Sequence, residues 1–262
     1  DRFYEMFIAE QNMVGVAVGL SRLGFIPFVS TFSAFMTRAY DQIRMAAYSG
    51  ANIKFIGSHS GVSIGADGPS QMGLEEISMF RAVYGSCVLV PSDAVSCAKL
   101  VEIASKNDGI YYISTLRSAT PVIYNNNEKF RLGGSKVLKE SGKDKAVVIA
   151  CGICVSEALK AYEELVKKGI NVAVVDAYSI KPIDEKTILE LARKTGLVVT
   201  VEDHYFEGGL GDAVLNVLAD CEFKFRLHKL AVSKLPKSGK AEELMEYEKI
   251  DKKAIIRNIL DL

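Results

Sequence analysis

Short apolar runs recur along the chain, each followed by a longer stretch whose apolar positions repeat every three or four residues. This alternation predicts a parallel α/β architecture. In the amino-terminal part the pattern predicts strands at 3–9 (FYEMFIA), 25–32 (FIPFVSTF), 51–59 (ANIKFIGSH), 86–93 (SCVLVPSD) and 109–115 (GIYYIST). Helices are expected at about 11–23, 33–48 and 94–106, the second with Phe35, Ala39, Ile43 and Ala46 or Ala47 on its inner stripe. Between 60 and 73 the period stops and four glycines appear, which marks a long loop of the kind that carries function.

Polar stretches at 125–136 (NNNEKFRLGGSK) and 139–145 (KESGKDK) break the pattern and suggest a connector between two domains, at 1–125 and 138–262. Beyond it, strands are expected at 146–152, 171–177, 197–203 and near 226–232. Helices are expected at 155–169, 183–196, around 210–219 and around 252–261. Ser156 is the expected cap of the first of these helices and Gly169 its stop.

Length and charge narrow the function. A chain of 262 residues has room for one or two domains. Its 32 basic and 32 acidic residues leave no excess charge to neutralise a phosphate backbone or an anionic membrane, so neither nucleic acid nor a membrane is an expected partner. Runs such as AVVIAC (146–151) fall far short of the roughly 20 apolar residues of a membrane span. Five cysteines, odd in number and mostly in apolar context, fit a reducing, cytoplasmic compartment. The opening DRFYEMFIAEQN has neither an initiator Met nor a signal-peptide pattern and looks like the middle of something; a truncated boundary, a proteolytic product and a preceding leader all fit it.

Several residues stand where α/β folds place ligand contacts, at strand ends. Glu10 follows the first expected strand; it could face a crevice or serve as a first-turn helix acid. Phe32 and Phe35, three residues apart, could form a wall for a flat ring or fill the core. His59 precedes the glycine-rich loop, which ends in Asp67-Gly68-Pro69-Ser70-Gln71, polar groups suited to a small hydroxylated substrate or to a surface turn. Arg117, after the fifth strand, offers bidentate donors to a carboxylate or phosphate, or a surface ion pair. Cys151 and Cys154 form an isolated C-x-x-C that reads as two buried small residues. Glu202, Asp203 and His204 read as a domain contact or helix start, since the glycines after them lack a phosphate-loop order.

The strings IAEQNMVGVAVGL, PFVSTFSAFMTRAYDQIRMAA, GSHSGVSIGADGPSQM, YNNNE, IKPID and TVEDHYFEGGLGDAV closely resemble transketolase, in transketolase order, across nearly the whole chain. The resemblance implies two three-layer α/β/α domains with mostly parallel sheets: a pyrimidine-binding domain lacking its first elements, then the transketolase C-terminal domain. It implies transfer of a two-carbon ketol unit from a ketose phosphate to an aldose phosphate with thiamine diphosphate. Glu10 resembles the glutamate that hydrogen-bonds the pyrimidine ring nitrogen and so promotes the cofactor's own base. Phe32 and Phe35 resemble the ring's aromatic seat. His59 resembles the histidine beside the reacting carbonyl or hydroxyl, Asp67 the acid at a donor hydroxyl, and Arg117 the sugar-phosphate arginine. Gln71 stands where many relatives have histidine, close to the cofactor's amino group. The motif that holds diphosphate with Mg2+ or Ca2+ has no counterpart here, so no metal ligand is assigned. The resemblance therefore implies the C-terminal half of a transketolase, either the C-terminal subunit of a split enzyme, the reading preferred here, or a fragment of a full-length one, with an amino-terminal domain or subunit as partner, a homodimer of this chain, and a heterotetramer when complete. Related alternatives are a half of 1-deoxyxylulose-5-phosphate synthase or of a 2-oxo acid dehydrogenase beta subunit, and a noncatalytic assembly module.

Overall fold

A computed structural model describes residues 2–261. The first sheet is formed by β1 (Phe28–Phe32), β2 (Ile53–Ser58), β3 (Cys87–Leu89) and β4 (Ile110–Ser114), in the order β1-β2-β4-β3 and parallel throughout. Around it run α1 (Glu10–Arg22), α2 (Ser33–Met36), α3 (Tyr40–Tyr48), α4 (Glu76–Ala82) and α5 (Ala94–Ser105). The expected single helix at 33–48 is broken by a 3-10 turn at Thr37–Ala39. Asp93 caps α5, accepting from the Ser96 N–H at 2.7 Å.

The second sheet is built from β5 (Lys136–Lys139), β6 (Val147–Ala150), β7 (Ala173–Asp176), β9 (Leu197–Tyr205) and β10 (Arg226–Val232), in the order β10-β9-β6-β7-β5. Only the edge strand β5 runs antiparallel. Flanking the sheet are α6 (Cys154–Lys167), α7 (Glu185–Thr195), α8 (Leu210–Leu218), α9 (Ala241–Glu248) and α10 (Lys252–Leu260). The fold is thus two α/β domains with mostly parallel sheets, as the alternating pattern predicts.

Four local expectations are corrected. Residues 3–9 form no strand; Phe3, Phe7 and Ile8 are 82%, 87% and 84% exposed. Their apolar run has no neighbouring strand among the described residues to supply a ladder, and an unpaired extended segment is not held. Helix α6 starts at Cys154, two residues before Ser156, and has no side-chain cap. The polar connector contains β5, whose alternating half-buried and exposed residues suit an edge. Helix α4 arises in a segment where no element is expected.

The domains are not separately closed. Between β7 and α7 the chain sends β8 (Ser179–Lys181) across to pair antiparallel with β3, completing the first sheet. The Lys181 ammonium donates to the Arg81 and Val83 carbonyls at 2.8 and 2.7 Å, satisfying the C-terminal end of α4. One apolar core runs through both domains, from Val14, Phe55 and Phe80 in the first to Val147, Val175 and Val214 in the second. Ser92 and Tyr124 each donate to the buried Asp176 Oδ2 at 2.6 Å, fastening the first domain to the end of β7.

Gly57, near the end of β2, leaves no room for a side chain. A Cβ there would lie 2.3 Å from the Tyr112 hydroxyl and 2.5 Å from Ser33 Oγ. Gly57→Ala should therefore lower stability by about 2 kcal/mol through overpacking, read as a reduced urea midpoint at unchanged slope.

Candidate active site

The candidate residues lie at the C-terminal ends of three adjacent parallel strands, where open α/β sheets bind ligands. Phe32 ends β1, His59 follows β2, and Arg117 lies three residues beyond β4. Phe32 stacks on His59 with centroids 3.6 Å apart and on Phe35 at 5.2 Å. Both phenylalanines are only partly buried, so they form a surface-facing aromatic wall rather than core.

His59 holds a φ of +60°, a left-handed conformation uncommon outside glycine. Its backbone is fixed on both sides: the Gly73 N–H donates to the His59 carbonyl at 3.1 Å, and the Ser60 N–H donates to the Thr115 carbonyl at 3.2 Å. Ser58 Oγ lies 3.1 Å from its Nδ1. Burial lowers the imidazole's pKa below its ordinary value, opposed by Asp67 and reinforced by Arg117. The ring is accordingly neutral at pH 7 and able to accept a proton.

Asp67 and Arg117 pair with each other at 3.2 Å, and Arg117 also donates to the Ile64 carbonyl at 3.3 Å. Both surface-pair and anion-binding roles for Arg117 are compatible with this, because a half-exposed ion pair contributes little and exchanges readily. Gln71 lies on a partly exposed 3-10 turn, Pro69–Gln71, that packs beside α2. Glu10 is the first residue of α1 and a first-turn acid, and it is also buried. It pairs with Arg38 at 3.3 Å, on the turn just after Phe35. The structure thus groups Phe32, Phe35 and His59 directly, joins Asp67 to Arg117, and ties Glu10 to the segment that carries Phe35.

Beneath this surface lies a buried polar network that no sequence pattern marks. Ser33 Oγ is 2.6 Å from Ser60 Oγ, Ser60 Oγ is 2.7 Å from Ser114 Oγ, and Tyr112 donates to Ser33 at 2.9 Å. Ser114 Oγ lies 3.3 Å from Glu76 Oε1, while Glu76 Oε2 has no partner among the described residues. Ser33 and Ser60 adjoin Phe32 and His59 in the chain, so the network anchors both backbones of the aromatic stack. Burial pushes the Glu76 carboxyl up to about 7, against the pull of its hydroxyl neighbours.

The glycine-rich loop is held from the other domain. Asp203 Oδ1 and Oδ2 accept the Val62 and Ser63 N–H groups at 2.8 and 3.0 Å. Its neighbour Glu202 accepts the Leu210 and Gly211 N–H groups at the start of α8, and the Ser78 N–H donates to His204 Nε2 at 3.3 Å. The expected domain-contact and helix-start roles are both present, divided among these residues. Cys151 and Cys154 are buried, and burial raises both thiols far above their ordinary value, as suits small core residues. Among the described residues, no three His, Cys, Asp or Glu side chains gather into a metal-binding group. No helix among them is long and apolar enough to cross a membrane.

Two family models cover this architecture: residues 1–122 match the transketolase pyrimidine-binding domain, and residues 134–255 match the transketolase C-terminal domain. The chain is 52% identical to transketolase of Rattus norvegicus and 51% identical to that of Homo sapiens, in each case over all of its own length and 42% of the relative's. It is similar to a solved split-gene transketolase described as an inactive beta4 tetramer, with TM-score 0.89, 37% identity, and coverage of 99% of this chain and 83% of that one. Transketolase from Campylobacter jejuni shares the fold, with TM-score 0.82 at 24% identity over 97% of this chain and 38% of that one. The chain belongs to the transketolase family. It spans about two fifths of the length of the curated relatives it matches.

Glu76 generates a pH-dependent prediction. An unfolded chain releases this proton near 4.5, whereas the folded one holds it to about 7. The stability it contributes is therefore complete below the lower value and is lost progressively as pH rises through the upper one. Glu76→Gln keeps the neutral shape; it should match the parent near pH 4.5 and exceed it at pH 8 by on the order of 2 kcal/mol in urea unfolding.

Proposed function

We propose that this chain is the pyrimidine-binding and C-terminal portion of a transketolase, transferring a two-carbon ketol unit from a ketose phosphate to an aldose phosphate. The observation that carries the reading is the Phe32–Phe35–His59 stack at the strand ends, with a buried glutamate tied to the same segment. A flat aromatic face and a buried carboxyl tied through Arg38 to the segment that carries it are the groups an aminopyrimidine ring needs, so the residues present suit thiamine diphosphate. When bound, that cofactor supplies the nucleophilic carbon that carries the transferred unit.

The chain's own groups would divide the remaining work. Glu10 holds a proton at the pyrimidine ring nitrogen, and Phe32 and Phe35 stack against the ring. His59, neutral at pH 7, moves a proton at the sugar's reacting oxygen. Asp67 accepts a hydrogen bond from a hydroxyl of the donor sugar, and Gln71 offers a neutral amide to the same substrate and cofactor edge. Arg117 exchanges Asp67 for the sugar phosphate, a stronger bidentate partner.

Diphosphate and its Mg2+ or Ca2+ would be held by an amino-terminal domain or subunit, consistent with the absence of their motif from this sequence. The boundary between 125 and 138 is proposed as the domain division. The exposed Phe3, Phe7, Ile8, Phe25 and Phe28 support burial against a partner, either that subunit or a second copy of this chain in a heterotetramer. A cytoplasmic setting fits the free cysteines and the sugar-phosphate substrates.

The test is titration of thiamine diphosphate with Mg2+ into the chain, alone and with a transketolase amino-terminal portion, followed by ketol-transfer assay. Binding and turnover only with the partner present are expected. Glu10→Ala should then cut kcat by about 100- to 10,000-fold with the fold intact. Turnover of pyruvate instead of ketose phosphate, or no turnover with the partner bound, would overturn the reading.

A further inference from the structure

Four apolar side chains of the glycine-rich loop and its exit, Val62, Ile64, Met72 and Leu74, are buried in the core of the second domain, among Val148, Val155, Val201, Val232, Leu244 and Met245. The loop's polar backbone is matched from the same side by the Asp203 carboxylate. Three of its glycines meet the second domain closely. A Cβ on Gly61 would lie 2.1 Å from Asp203 Oδ2, one on Gly68 would lie 2.5 Å from Ser238 Oγ, and one on Gly65 would lie 3.2 Å from the Gly239 carbonyl. All three hold positive φ, at +85°, +84° and +86°.

We infer that the second domain sets the geometry of the substrate loop, with Asp203 as its positioning residue: by seating the 3-10 turn Val62–Ile64, it fixes where Asp67 and Gln71 stand relative to His59. Among the described hydrogen bonds Asp203 meets none of Glu10, Phe32 and Phe35, so its effect reaches the site through the loop residues Asp67 and Gln71. The role assigned to sugar binding rests on the proposed function, while the seating of the loop does not.

The test separates the two. In the full chain, Asp203→Asn leaves an amide nitrogen against one of the two N–H donors. Hydrogen exchange over 60–73 should rise at least tenfold, while the amides of β6, β7 and β9 keep their protection. The His59 titration midpoint, followed by its ring proton resonances, should shift because Asp67 and Arg117 move relative to it. With an amino-terminal portion supplied, KM for ketose phosphate should rise at least fivefold, with thiamine diphosphate affinity and kcat each changing by less than KM rises. Unchanged exchange at 60–73, or equal loosening of the whole second domain, would overturn the seating role. A loosened loop with unchanged KM would overturn the effect on sugar binding. If the parent assembly lacks ketol transfer, the proposed function fails while the exchange and titration results still decide the seating. If Asp203→Asn does not fold, Gly61→Ala, which crowds the same carboxylate from the loop side, is read by the same measurements.

Discussion

The burial of Val62, Ile64, Met72 and Leu74 in the second domain is the constraint on which the site depends. A loop rich in glycine has high conformational freedom, and ordering it costs roughly 1–2 kcal/mol per residue in backbone entropy alone. Apolar burial offsets that cost, and it brings loop backbone into a place where its N–H groups need partners. Asp203 supplies two acceptors at once, and the left-handed Gly61 lets the chain pass within reach of the carboxylate. The polar tip carrying Asp67 and Gln71 is left at the surface, facing the strand ends of the first sheet. One domain thus provides the aromatic wall, and the other fixes the polar groups opposite it.

Buried acids elsewhere work by a related logic. Glu76, Asp176 and Glu202 are each almost fully buried, and burial raises each to about 7. Among the described residues their hydrogen-bond partners are hydroxyls or backbone N–H groups rather than cations. The His204 ring 3.9 Å from Glu202 is kept neutral by its own burial, which lowers it to about 4. Unlike an exposed ion pair, such an acid demands a specific set of donors, since leaving it unmatched in low dielectric is costly. Two of the three join sequence-distant parts: Asp176 ties Ser92 and Tyr124 to β7, and Glu76 ties α4 to the strand ends under the aromatic stack. Specific polar matching, laid over a shared apolar core, gives the domains one relative placement.

Local pattern made the elements with internal apolar period legible, and it located the loop at 60–73 by the loss of that period. Phe32, Phe35 and His59 could be marked because strand ends are where α/β folds place chemistry, although only the structure shows them stacked. The failures share one cause. The run at 3–9 has strand composition but no neighbour to pair with. Strand β8 has three residues, and its partner lies in the other domain. The serines and tyrosine above Glu76 are unremarkable in isolation, and their meaning comes from packing. Asp203 was readable as a domain contact by its position, but not which backbone groups it would meet.

The crossing of β8 bears on how such a chain can be inherited. A gene broken at the connector would yield a first product whose β3 edge lacks its ladder partner and whose Val62-to-Leu74 plug has no core to enter, and a second product with that core left open. Each fragment would expose apolar surface and unpaired backbone, the hallmarks of aggregation. The two domains are therefore expected to travel through recombination as a single module, and viable breakpoints should lie outside the span from α1 to α10, since both end helices are packed into the cores.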